Sequence, residues 1–500
     1  MLPRDKLFAG AVPENVIPIV SRAGTVLGLP VWIATVYGLF FLLAFWIYAS
    51  LWPGAPVMES DSHGYLSAAR DLADFHIDHL QRRTPGYPLL LVLTGSSRLP
   101  NRELFFVSLL LHFGSIWILA SLLYRAGLRA SMLCLFCLIL LLPPYVEYAA
   151  YVLSENLAEA ALALGLVSFA FWLLDGKITW SILSAVAIGY AALTRPTYQL
   201  LAFSIGLYIV AARFLCGPTL QWKNVIKGTV ILTCGTFFML AGYAFLTYRS
   251  TGYFAINRPT LGLSLTQKTL RVLERSPDEY AAVKDILISA RNSAFISREE
   301  HTGYSYIDSA MPALMRATGL RDAELSDYLL RLNLLLIQKA PLTYLQDVLW
   351  AFAAYWLPSS GQVANMNSHF LQLLWGVTQI LLTTTFALSL MLIVGSATYI
   401  KCAALGEILP SSDLKSVQME GLVYGAAATI VMYNAFVTCL IQEGIARFRV
   451  PTDALIIFMI FLGLHLWSRL VNLSRKRLIS QLKTPKIQPT KENVNNITKK

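Results

Sequence analysis

The chain has 500 residues, a net charge of +11, and 56% hydrophobic against only 14% charged side chains, where an ordinary soluble domain carries about 25% charged residues. That balance excludes a soluble globular enzyme. The positive charge needs no nucleic acid, because much of it falls at the expected cytoplasmic ends of apolar runs, where lysine and arginine hold topology.

In chain order, Arg4, Lys6 and Arg22 precede an apolar run at 31–52 that is too long for a signal-peptide core, so no cleaved leader is expected. Runs near the length of a hydrocarbon core follow at 103–124, 130–147, 153–174, 178–194, 198–215, 226–248, 370–396, 418–441 and 452–470. The expected fold class is an all-α polytopic membrane protein of about 10–11 spans. An eleventh apolar run, 341–357, contains Asp347 together with Trp350, Tyr355 and Trp356 and suits the membrane interface better than its interior. Cys134-x-x-Cys137 lies inside an apolar helix, so the six cysteines offer no disulfide framework.

The positive-inside rule orients these spans. With residues 1–30 cytoplasmic, Arg125, Arg129, Lys177, Lys223, Lys401 and Lys415 fall in cytoplasmic loops, and the basic tail 471–500, expected to be disordered, also lies inside. Two long segments, 53–102 and 249–369, then face outward as helical loops over the 31–470 membrane domain. Glu59, Asp61, Glu147, Glu155 and Glu443 fall at outer helix ends. Arg82, Arg83, Arg195, Arg249, Arg258, Arg447 and Arg449 fall on the same side. Arginine meets phosphate through a planar, bidentate fork. Acids beside arginines at a membrane surface therefore fit a phosphate-bearing lipid substrate and a proton-accepting carboxylate.

Four patterns resemble the GT-C membrane glycosyltransferases that use polyprenyl-phosphate sugars, a group that includes the protein O-mannosyltransferases and lipid A aminoarabinose transferases. Glu59-Ser-Asp61-Ser-His-Gly-Tyr65 is similar to their first-loop acidic motif. Arg83-Thr-Pro-Gly-Tyr-Pro88 looks like their juxtamembrane turn. Leu153-Ser-Glu155-Asn156 matches the position of a second acid. Glu443-Gly-Ile-Ala-Arg447-Phe448-Arg449-Val-Pro451 resembles a Glu-x-x-Arg-Tyr-x-x-Pro pattern, with Phe448 in place of tyrosine. The chain departs from the family in carrying Glu59-x-Asp61 rather than adjacent acids, and in having no sizeable soluble C-terminal domain.

The resemblance implies a GT-C-like bundle and an inverting transfer of a monosaccharide from a polyprenyl-phosphate donor to a lipid, glycan or protein acceptor. The site would face the outer side of a bacterial inner membrane. It implies Asp61 as the base and Glu155 as a second catalytic acid, with Glu59, Tyr65, Arg83, Arg195, Glu443, Arg447 and Arg449 binding substrate. Most have a plainer reading: capping around Asp61, snorkelling for Arg83 and Arg195, a helix-dipole partner for Glu155, and an intrahelical Glu443–Arg447 pair. No cofactor or metal is expected. His76-x-x-His79 with Asp78 has ligand-like spacing for zinc or manganese, but such residues more often form a solvated helix face. Rival functions are a transporter or flippase for a lipid-linked sugar, and a glycan polymerase or ligase.

Overall fold

The computed structural model describes residues 25–26, 29–52, 54–76, 83–216, 221–252, 254–256, 260–297, 303–320, 322–357, 368–405 and 411–483. Apart from a two-residue antiparallel strand pair, Thr25–Val26 with Leu29–Pro30, the regular elements among them are helices. The protein is an all-α polytopic membrane protein.

Its helices begin with α1 (Val31–Ser50). Two short helices, α2 (Ser60–Ala73) and α3 (Gly86–Leu93), precede α4 (Arg102–Arg125). Then come α5 (Ala130–Leu140), α6 (Pro143–Val146), α7 (Glu155–Asp175), α8 (Ile178–Thr194), α9 (Leu201–Cys216) and α10 (Trp222–Thr251). Among the described residues seven helices are long and apolar enough to cross a membrane, and two shorter apolar helices correspond to α1 and α8. The span expected at 130–147 is instead a bent helix pair: α5 and the stretch Pro143–Ala150 meet at 62°. Pro143 and Pro144 remove two backbone donors there, which ends α5.

The second long segment forms a helical cap of α11 (Leu261–Thr269), α12 (Ala281–Ser297), α13 (Gly303–Thr318) and α14 (Asp322–Lys339). It has its own core, including Leu273, Val283, Leu314, Leu325 and Leu329. A Cβ on Gly262 would stand 1.8 Å from the Ser326 carbonyl oxygen, so only glycine lets α11 and α14 meet this closely. Asn333 ties the contact by donating to the Gly262 carbonyl at 2.8 Å.

Next, α15 (Pro341–Trp356) occupies the run expected in the interface. It buries Val348, Ala351 and Tyr355 and exposes Leu342, Leu345, Leu349 and Trp350. The chain closes with α16 (His369–Leu405), α17 (Ser411–Ile441), a 3-10 turn at Ala446–Arg449, and α18 (Val450–Lys483). Helices α4, α7 and α18 form the centre of the bundle, and their facing side chains, such as Ile116, Leu162 and Phe458, are fully buried.

Candidate active site

Helix α2 starts at Glu59, whose backbone N–H donates to Ser62 Oγ at 2.9 Å. Ser62 in turn donates to the Val152 carbonyl at 3.0 Å. Capping thus falls to Ser62 and leaves Asp61 in the first turn with its carboxylate unspent. Val57 lies beside Tyr151 in a parallel bridge, and Tyr65 Oη and Ser154 Oγ are 3.1 Å apart. These bonds fix α2 against the segment that leads into α7.

The 83–86 turn docks on the end of α8. Thr84 donates to the Thr194 carbonyl at 3.0 Å, and Tyr190 donates to the Gly86 carbonyl at 3.0 Å. A Cβ on Gly86 would lie 2.5 Å from Thr194 Oγ1, so glycine permits the contact. Arg83 and Arg195 are thereby delivered to one place. Gly64 does the same service on α2, because a Cβ there would stand 2.8 Å from Arg83 Nε.

The charged groups form one alternating chain. Arg83 Nη2 donates to Asp61 Oδ1 at 2.7 Å, and Arg447 Nη2 donates to Asp61 Oδ2 at 2.6 Å. Arg447 Nε also donates to Glu155 Oε1 at 3.0 Å, and Arg195 Nη1 lies 3.0 Å from the same oxygen. Arg83 stacks on the Tyr65 ring, 4.6 Å from its centroid, and Arg195 lies 5.7 Å from the centre of Phe448. Three guanidinium groups meet two carboxylates, which leaves a net charge of one positive unit. Glu155 is 1% exposed and Asp61 26%, so the chain runs from the interior toward an accessible edge.

The expected site residues divide accordingly. Asp61, Glu155, Tyr65, Arg83, Arg195 and Arg447 converge at one end of the bundle. Glu59 is the exposed N-cap of α2. Glu443 precedes the 3-10 turn on non-helical backbone, so the expected helical i,i+4 pair with Arg447 does not have its geometry here. Its backbone N–H donates to Gln267 of the cap at 3.3 Å. Arg449 points elsewhere. It is 3% exposed and bonds Asp453 Oδ1 at 2.7 Å, the Tyr355 carbonyl at 3.0 Å and Gln379 Oε1 at 3.0 Å. It locks α15 and α16 onto α18. Arg249 is exposed at the end of α10, and Arg82, Asp78, His79 and Arg258 lie outside the described residues. Among the described residues no three His, Cys, Asp or Glu side chains gather as a metal site.

One buried pair escaped the sequence. His112 Nδ1 lies 3.1 Å from both oxygens of Glu159, and His112 Nε2 lies 3.1 Å from the Leu140 carbonyl at the broken end of α5. The signal was present: Glu155 and Glu159, four apart in an apolar helix, share one face. The pair places a buried histidine and a buried glutamate inside the bundle, next to the 62° break.

No protein-family model matches the chain, and no curated protein matches it. Among solved structures, the chain is similar to that of ArnT from Cupriavidus metallidurans bound to undecaprenyl phosphate. The likeness covers 88% of this chain and 78% of that one, at 14% identity and a TM-score of 0.35. The two folds superpose only loosely at that score, and the chemistry of the site rests on its own residues.

Burial opposes ionisation of Asp61, but Arg83 and Arg447 outweigh it and hold the carboxyl down at about 2. A depressed carboxylate adds stability that is complete above its unfolded pKa of about 4 and is lost as pH falls through the folded value. The melting temperature of the wild type relative to Asp61→Asn is therefore expected to stay constant between about pH 5 and 8. The difference should narrow only below about pH 4. Thermal unfolding in detergent across that range is the measurement, and a gap that closes near neutrality would contradict the pairing.

Proposed function

We propose that this protein is an integral-membrane glycosyltransferase, which moves a monosaccharide from a polyprenyl-phosphate donor to a lipid, glycan or protein acceptor. The observation that carries the reading is the Arg83–Asp61–Arg447–Glu155–Arg195 chain at one end of the bundle. Its surplus positive charge suits an anionic phosphate, and arginine forks suit phosphate oxygens. The positive-inside arrangement of the basic loops supports an outer-face site, with both termini cytoplasmic and a bacterial inner membrane as the setting.

In this reading an acceptor hydroxyl attacks the anomeric carbon and inverts it. Asp61 takes the hydroxyl proton. The C1–O bond to phosphate breaks, its electron pair leaves on the phosphate oxygen, and the arginines meet that added charge. Glu155, buried and gripped by Arg195 and Arg447, holds both guanidinium groups in place. The resemblance to GT-C enzymes supports the donor class.

Transfer from defined polyprenyl-phosphate monosaccharides in detergent tests this. Wild type should transfer, and Asp61→Asn should lose about 10²–10⁴-fold in rate. Full activity in the mutant would overturn the base assignment. The broken span and the His112–Glu159 pair favour a second reading, a flippase for a lipid-linked sugar, since transporters use such features. Translocation of a lipid-linked sugar across vesicles, with no transfer to any acceptor, would establish that reading instead.

A further inference from the structure

We infer that the helical cap positions Arg447: Gln267 and Lys268, adjacent on α11, hold the loop and the helix that present this arginine to Asp61 and Glu155. The inference rests on the glycosyltransferase reading. The cap supplies no member of the charged chain, so it acts on the reaction through the backbone that carries one.

The contacts run from the cap to the site. Gln267 Oε1 accepts the Glu443 backbone N–H at 3.3 Å, in the loop that leads to Arg447. Lys268 Nζ donates to the Asp347 carbonyl of α15 at 3.3 Å, and Arg271 Nη1 lies 2.9 Å from Asp347 Oδ1. Helix α15 bears on the same loop. A Cβ on Gly444 would stand 1.6 Å from the Ala351 carbonyl oxygen, and Tyr344 Oη donates to the Leu440 carbonyl at 2.9 Å. Beyond the loop, Asn434 donates to the Phe448 carbonyl at 2.9 Å, and Phe448 packs against the cluster of Ala351 and Tyr355.

Arg447 depends on that support. The backbone at 442–445 is non-helical, so no helix ladder fixes it. From the short 3-10 turn that follows, Arg447 reaches Asp61 Oδ2 at 2.6 Å and Glu155 Oε1 at 3.0 Å. A guanidinium fork meets two partners in one orientation only. Displacing the loop by about 1 Å takes one of these bonds outside hydrogen-bonding range. Lys268 is 5% exposed. Burial lowers its pKa below the ordinary lysine value, and the nearby Cys439, Asp347 and Glu443 oppose that shift only in part. A buried ammonium bonded to one carbonyl adds little stability, because desolvation offsets the attraction. Its effect is geometric: it joins α11 to the helix on which the Gly444 loop lies.

Steady-state transfer by the full-length protein in detergent, with thermal unfolding alongside, tests this. The donor is the polyprenyl-phosphate monosaccharide that the wild type uses. Gln267→Leu removes the acceptor at similar volume, and Lys268→Met removes the ammonium. Each should melt close to the wild type but lower kcat by roughly 10–100-fold, with a smaller change in KM. Gln267→Glu, which can still accept from the Glu443 N–H, should recover the rate. The deciding comparison is Gln267→Leu in an Arg447→Lys background. A residue that acts through Arg447 costs little more once Arg447 is altered, whereas an independent one multiplies the loss. A full further loss in that background, or wild-type kcat in both single variants, would overturn the inference. If Gln267→Leu does not fold, Lys268→Met in the same background supplies the comparison. Wild type that transfers from no polyprenyl-phosphate monosaccharide would refute the glycosyltransferase reading itself, and this inference with it.

Discussion

Arg447→Ala is expected to abolish transfer and to destabilise the folded protein by about 3–5 kcal/mol, the usual effect of removing one partner from a buried ion pair. Arg447 touches both carboxylates, at 2.6 Å to Asp61 and 3.0 Å to Glu155. Its loss would leave Glu155, 1% exposed, with Arg195 alone. Arg447→Lys separates the two effects. It keeps the charge but has a single ammonium in place of a fork, so it cannot hold two carboxylates in one geometry. Lysine should restore much of the melting temperature and little of the transfer rate. Thermal unfolding and a transfer assay on the three proteins decide the matter. Equal rescue of both by lysine would reduce Arg447 to a counter-charge.

Arg449→Ala should also destabilise by about 3–5 kcal/mol, but for a reason unconnected with substrate. Arg449 pairs with Asp453 inside α18 and binds the Tyr355 carbonyl and Gln379. Without it, a buried carboxylate loses its partner and α15 and α16 each lose a bond to α18. Replacing both charges by apolar residues of similar volume removes the stranded ion. Arg449→Met with Asp453→Leu should therefore recover most of the stability lost in the single variant. In that double variant the affinity for undecaprenyl phosphate should equal the wild-type value. A tenfold weakening there, in a protein with recovered melting temperature, would return Arg449 to the substrate site.

The contrast between these two arginines shows where sequence reading stops. Arg447 and Arg449 are two residues apart in one motif, and the sequence makes both substrate-binding candidates, with Arg449 the freer of the two because Arg447 is expected to pair with Glu443. On the 3-10 turn they point in different directions, one to Asp61 and Glu155, the other into α18. The non-helical backbone at Glu443 was equally hidden, so the expected Glu443–Arg447 spacing misled. By contrast, the broken span at Pro143-Pro144 could have been read directly, since consecutive prolines end a helix.

What the sequence determined alone was everything governed by local chemistry. Hydropathy and run length placed the apolar helices, because backbone groups in lipid must be bonded within the segment. The basic loops gave a common side to Asp61, Glu155, Arg83, Arg195 and Arg447, and those five do converge. Only the tertiary structure decided who pairs with whom. Arg447 lies 386 residues from Asp61 and 292 from Glu155 along the chain. Pairing over such distances is set by tertiary packing, including the close approaches of Gly64 to Arg83, Gly86 to Thr194 and Gly444 to Ala351, which no local periodicity encodes. That packing turned a set of acids and arginines into one chain, with Asp61 held between two cations.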